Sequence, residues 1–130
     1  MPLYLGLDCS TQSLTAIVID GDPARPDAWQ RVFESSLNFD EALPAFGTRH
    51  GVLPHADPRV AQAPPAMWRA ALDAMMARIA ASGLDLSQLD AIAGAAQQHG
   101  SVYLTAGGDF ARAVAPIWMD ASTAAECAEI

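Results

Sequence analysis

The sequence contains no lysine. Its seven basic residues are all Arg, set against fifteen Asp and Glu, which gives a net charge of −8. A phosphate loop of the form GxxxxGK followed by Ser or Thr needs a Lys to reach nucleotide phosphates, so that device is excluded. An acidic surface repels a phosphate backbone and argues against nucleic acid as a partner. Cysteine is scarce as well. Cys9 and Cys127 stand nearly a chain length apart and in no CxxC spacing, so neither a disulfide framework nor a zinc site is encoded and free thiols are expected. Every apolar run is strand-sized and interrupted by Gly, Asp or Gln, short of a membrane span. Met1-Pro2-Leu3-Tyr4-Leu5 lacks the positive segment of a secretory leader, and Asp8 breaks the run that follows, so a cytoplasmic compartment is expected.

What is present is enough for a packed core: 52% of the residues are hydrophobic and 17% charged, the balance of a globular domain and not of a disordered tail. Leu3 to Asp8 alternates at period two, and Leu14 to Asp20 is a second run rich in Ile and Val. Only Cys9-Ser10-Thr11-Gln12-Ser13 separates them, too short for a helical crossover, so the pair is predicted to be an antiparallel hairpin. Gln30 to Leu37 is a third strand candidate. From Asn38 to Ala63 periodicity is lost and Pro44, Gly47, Gly51, Pro54 and Pro58 accumulate, an irregular excursion of the kind that is often functional or mobile.

Pro64-Pro65 opens a predicted helix whose stripe is Trp68, Leu72, Met75, Met76 and Ile79, closed by Ser82-Gly83. Asp90 to Ala96 is apolar or small throughout, as a strand buried on both faces would be. Ser101 to Thr105 and Val114 to Met119 are further strand candidates. Thr123-Ala124-Ala125-Glu126 reads as a capping box, and the helix it starts has barely two turns before Ile130. The expectation is that the gene continues past this point.

Three constellations can carry chemistry. In Gly6-Leu7-Asp8-Cys9-Ser10-Thr11-Gln12-Ser13, a carboxylate ends a strand ahead of a turn dense in hydroxyls. Turn N–H groups and hydroxyls can hold phosphate oxygens without Lys, and an adjacent Asp can position a hydrated Mg²⁺. An ordinary Asx turn would look the same. In Gly94-Ala95-Ala96-Gln97-Gln98-His99-Gly100, a strand ends in two amides and an imidazole, groups that donate and accept toward a polyhydroxylated ligand. A hydrogen-bonded polar turn is the plainer alternative. Ile117-Trp118-Met119-Asp120 runs into a carboxylate that can cap the next helix, while Trp118 can fill core. His50 and His55 have no third ligand at metal spacing, and no GxSxG elbow surrounds any Ser. Met67, Met75 and Met76 fit core packing better than a cofactor site.

Taken in order, Tyr4 to Ser13, Gly94 to Tyr103 and Pro116 to Thr123 resemble three successive N-terminal signatures of the FGGY family of carbohydrate kinases, nearest in wording to its xylulokinase-like members. The resemblance implies an α/β fold of the ribonuclease H-like, actin-like ATPase type, with a mixed sheet that begins as an antiparallel three-stranded meander. Residues 1–130 would be the N-terminal part of the first, sugar-side domain, and the second domain would lie outside the chain. It implies ATP and Mg²⁺ as cofactors and transfer of the γ-phosphoryl group to a ketopentose such as D-xylulose. Asp8 would organise the metal, and Ser10, Thr11 and Gln12 would lie on the phosphate side. Gln98 and His99, next to Gln97, would hold the sugar, with Asp120 nearby.

The family's catalytic Asp would fall downstream, leaving no catalytic base here and the isolated piece inactive. Many relatives carry Gly-Thr where this chain has Cys9-Ser10-Thr11, so which hydroxyl meets phosphate stays open. Sister kinases acting on ribulose, gluconate or glycerol, and an actin-like ATPase that gates a protein partner, remain alternatives. Expected partners are sugar and ATP, without nucleic acid or membrane. The oligomeric state is open, a dimer included.

Overall fold

The computed structural model describes residues 2–130. In chain order the elements are β1 (Leu3–Cys9), β2 (Ser13–Asp20), β3 (Gln30–Asn38), α1 (Phe39–Ala42), β4 (Gln62–Ala63), α2 (Pro65–Ala80), β5 (Leu89–Ala96), β6 (Ala115–Pro116) and α3 (Ala124–Cys127). The period-two runs become the expected hairpin, with Leu3 opposite Asp20 and Cys9 opposite Leu14. β3 returns antiparallel to β2, completing the meander. β5 then enters on the far side of β1 and runs parallel to it, so the sheet order is β3-β2-β1-β5. This is the mixed sheet that the family resemblance implies.

Alternation sends Leu3 and Leu5 of β1, Leu14, Ala16 and Val18 of β2 and Leu37 of β3 to one face, where α2 covers them. The helix opens with Pro65 at its first turn, where a missing N–H costs nothing. Its buried stripe is Met67, Ala71, Met75 and Ile79, a strict i, i+4 row. Leu72, expected in the stripe, is exposed, and Trp68 and Met76 flank it half-buried. The buried row includes Ala71, a small residue that the apolar stripe read from the sequence leaves out. Arg78 fastens the end of α2 by donating to Ser36 O (3.0 Å) and Ser35 Oγ (3.2 Å) of β3. Each fully buried Met, Leu or Ile contributes about 1.5–3 kcal/mol.

Four expectations change. β5 is not buried on both faces: all its residues but Leu89 are exposed, because α2 packs on β2 and β3 and no described element covers the β5 side. Ser101 to Thr105 forms no strand, only an isolated bridge between Leu104 and Phe110, and Val114 to Met119 shortens to β6, paired antiparallel with β4. The capping box is not made either, since the Thr123 side chain donates and accepts nothing at the start of α3. Cys9 is half-buried and Cys127 exposed, both as free thiols.

Candidate active site

Parallel strands β1 and β5 end side by side, Cys9 against Ala96, and ligands in open α/β sheets bind beyond such carboxyl ends. The turn Ser10-Thr11-Gln12 and the segment Gln97 to Gly100 leave from this edge, tied by the Gln97 N–H donating to Cys9 O at 3.0 Å. Within the turn, the Ser10 N–H and hydroxyl both reach Ser13 O, at 2.9 and 3.2 Å.

The third constellation joins them from a distance in sequence. Trp118 Nε1 donates to Thr11 Oγ1 at 2.9 Å, and that hydroxyl faces Gln97 Oε1 at 3.5 Å. One Thr hydroxyl, with one proton and two lone pairs, therefore connects segments 86 and 107 residues apart. Trp118 is 55% exposed and does not fill core; its indole N–H serves the turn instead. Gly100 packs against the strand before Trp118, where a Cβ would stand a tight 3.2 Å from Pro116 O.

Strand alternation separates Asp8 from Cys9. Asp8, exposed, lies in a concavity of about 430 Å³ on the face away from α2, with Gly6, Thr15, Ile17 and Ala95. Cys9 lines a second hollow of about 310 Å³ on the helix side, with Trp68, Gln97, Gly100 and Val102. Burial, then the nearby Asp8 carboxylate, push the Cys9 thiol pKa up, so it stays protonated and inert. Among the described residues no three His, Cys, Asp or Glu side chains gather into a metal-holding group. A single exposed carboxylate is still compatible with Mg²⁺, which keeps several waters and takes one or two carboxylates plus substrate phosphates.

Gln98 and His99 are both exposed, and His99 adopts φ 60°, in the left-handed region uncommon for residues other than Gly. Among the described residues its imidazole makes no hydrogen bond, so the side chain does not hold the turn. Asp120 is spent locally. Its Oδ2 accepts from the Ala61 N–H (2.9 Å), and its Oδ1 accepts from the Ser122 N–H (3.0 Å) and hydroxyl. The Ser122 hydroxyl, then the Ala61 and Ser122 N–H groups, hold its carboxyl below the ordinary range. Asp120 thus fixes Ala61 to the turn after Trp118, and it caps that turn and not α3.

Sequence reasoning missed Asp40. Its carboxylate accepts from the Thr48 hydroxyl (2.7 Å) and from the N–H groups of His50 and Gly51, and these bonds, Thr48 foremost, keep its pKa low. The irregular excursion is therefore an ordered loop.

The fold is shared with solved carbohydrate kinases. A xyloylose kinase from Brucella ovis superposes with a TM-score of 0.73 at 26% identity, covering 98% of this chain and 23% of that one. A gluconate kinase from Lactobacillus acidophilus shares the fold alone, with a TM-score of 0.71 at 14% identity over 98% of this chain and 22% of that one. In sequence, nearly the whole chain is similar to xylulose kinases. It is 37% identical to the xylulose kinase of Rattus norvegicus over 145 aligned positions, 97% of this chain and 26% of that protein. It is 35% identical to D-xylulose kinase A of Aspergillus niger, over 98% of this chain and 25% of that protein. The chain thus spans about a quarter of the length of the curated relatives it matches. No protein-family model matches it.

Proposed function

We propose that residues 1–130 form the N-terminal part of the first, sugar-side domain of an ATP-dependent kinase that phosphorylates a ketopentose, D-xylulose first among candidates. The observation that carries this reading is the Thr11 hydroxyl, where the phosphate-side turn, the sugar-side segment after β5 and Trp118 converge. Phosphoryl transfer is mainly positioning and charge neutralisation, and a shared pivot between the two substrate sides serves positioning directly.

In this reading the Thr11 and Gln12 N–H groups face the phosphates, and Ser10, whose N–H and hydroxyl both reach Ser13 O, shapes the turn that presents them. Thr11 Oγ1 accepts from Trp118 and directs its one proton at Gln97, so its hydroxyl ties the two sides together and its N–H is the group left for phosphate. Asp8 would hold hydrated Mg²⁺, whose charge offsets that developing on the transferred group. Gln98 and His99, free of internal bonds at the strand's end, hold the sugar hydroxyls. Asp120 acts on the sugar side indirectly, by fixing Trp118's turn. The family resemblance puts the base that deprotonates the sugar hydroxyl outside this chain. The acidic surface fits a small-molecule enzyme in the cytoplasm without nucleic acid, and no described helix is long and apolar enough to cross a membrane.

The test is a coupled assay of the full-length protein with Mg²⁺-ATP over xylulose, ribulose, gluconate and glycerol. Xylulose should give the highest kcat/KM, and Asp8→Asn should lower kcat about ten- to a hundredfold with the sugar KM little changed. ATP turnover insensitive to every sugar removes the kinase reading. A preference for another panel member replaces xylulose.

A further inference from the structure

The turn Ser10-Thr11-Gln12 has no Gly, yet phosphate recognition by N–H groups needs its peptides to face one way. What orients them lies in the excursion after β3. The Gln12 carbonyl accepts from the Phe39 N–H at 2.9 Å. The preceding carbonyl, of Thr11, is blocked by Gly51: a Cβ at position 51 would come within 1.8 Å of Thr11 O and 2.8 Å of its carbon. Two consecutive carbonyls of the turn are thus pressed against the two ends of the segment 39–51.

That segment is closed by Asp40, the residue after Phe39. Its carboxylate reaches across to the Thr48 hydroxyl and to the His50 and Gly51 N–H groups. The grip holds successive left-handed residues, His50 at φ 54° and Gly51 at φ 78°, the first of them unfavourable for a side-chain-bearing residue. Gly51 is itself buried.

The consequence for the turn follows from peptide geometry. The Thr11–Gln12 peptide is trans, so the Gln12 N–H points opposite to the carbonyl that Gly51 faces. Among the described residues this N–H has no backbone partner. A trans peptide backed against Gly51 thus aims a free donor away from the loop, as an anion-binding turn requires.

We propose that Asp40 and Gly51 are positioning residues for the phosphate turn, Asp40 by fixing the loop that carries Gly51 and Gly51 by setting the Thr11–Gln12 peptide. This rests on the kinase reading above and adds two residues to it, neither of which touches substrate.

The test uses the full-length protein with Mg²⁺-ATP and D-xylulose, with three variants. Gly51→Ala should lower kcat/KM for ATP about ten- to a hundredfold, the scale of a displacement near 1 Å, with the xylulose KM within about twofold of wild type. Thr48→Val, which removes a donor from Asp40, should shift the same parameter in the same direction. Thr48→Ser, which restores the hydroxyl, should recover it, so the inference stays testable if Gly51→Ala fails to fold. Loss of activity in proportion to the folded fraction, equal for both substrates, overturns the proposal. A second readout separates it from the functional reading: the amide nitrogen chemical shift of Gln12 should move in Gly51→Ala and Thr48→Val and return in Thr48→Ser. If wild type phosphorylates no sugar, the functional reading falls. An unmoved Gln12 shift shows that Gly51 does not set the turn.

Discussion

His99 shows how a backbone angle sharpens a chemical test. At φ 60° any Cβ is strained, so His99→Ala would mix loss of the imidazole with strain that Ala retains. His99→Gly removes the imidazole and relaxes the backbone together. If the ring bonds a sugar hydroxyl, His99→Gly in the full-length protein should lower kcat/KM for the sugar by fivefold to more than a hundredfold, about 1–3 kcal/mol. The KM for ATP should stay near wild type and Tm should hold or rise. A variant with a lower Tm and unchanged sugar kinetics takes His99 out of the site. The strain itself supports a functional reading, since an imidazole without internal bonds gives the fold no reason to keep a side chain there.

At the scale of elements, the excursion from Asn38 to Ala63 is fastened by carboxylates. Asp40 grips its first half, and Asp57 binds the Arg59 side chain and N–H. Asp120 ties Ala61 at its end. All three have depressed pKa values, that of Asp57 reaching about 2, chiefly through hydrogen bonds from Arg59. A carboxyl whose folded pKa lies below its unfolded one stabilises fully above the unfolded value, about 4, and loses that contribution as pH falls through the folded value. At neutral pH, Asp120→Asn should therefore cost the full-length protein about 1 kcal/mol, kept small by its partial exposure. Thermal melts should show the gap to wild type narrowing from about pH 4 toward pH 2. A gap independent of pH would mean that the charge of Asp120 contributes nothing. This layer was not legible in the sequence, because one carboxylate meeting a hydroxyl and two N–H groups eight to eleven residues onward leaves no period. The β1–β2 hairpin and α2 were legible, since period-two runs, Pro64-Pro65 and Ser82-Gly83 are local signals. Val102, Tyr103 and Leu104 misled for the opposite reason: their strand propensity finds no ladder partner beyond one bridge. At the site, the three segments were readable one by one, and their meeting at Thr11 was not, because a contact spanning 107 residues depends on the fold.

At the scale of the whole molecule, the uncovered surface sets what the 130 residues can do alone. The sheet order leaves β5 at the edge with one side of its ladder unpaired, and Ile92 on it is 58% exposed. Leu104 and Tyr103 are exposed to 58% and 51%. An open edge strand whose single charge is Asp90 and which exposes apolar residues is a template for pairing with another chain. The isolated chain should therefore self-associate in size-exclusion chromatography with light scattering, and Ile92→Lys should shift it toward monomer by placing a charge on the edge. It should also give no xylulose-dependent ATP turnover, since by family resemblance the base and most nucleotide contacts belong to the three quarters of the relatives' length that this chain does not match. Weak nucleotide binding through the turn after Asp8 would fit that assignment. Robust Mg²⁺-dependent phosphorylation of xylulose by monomeric residues 1–130 would overturn it, because Asp8, the three hydroxyls near it and the Gln97–His99 segment would then have to supply the base themselves.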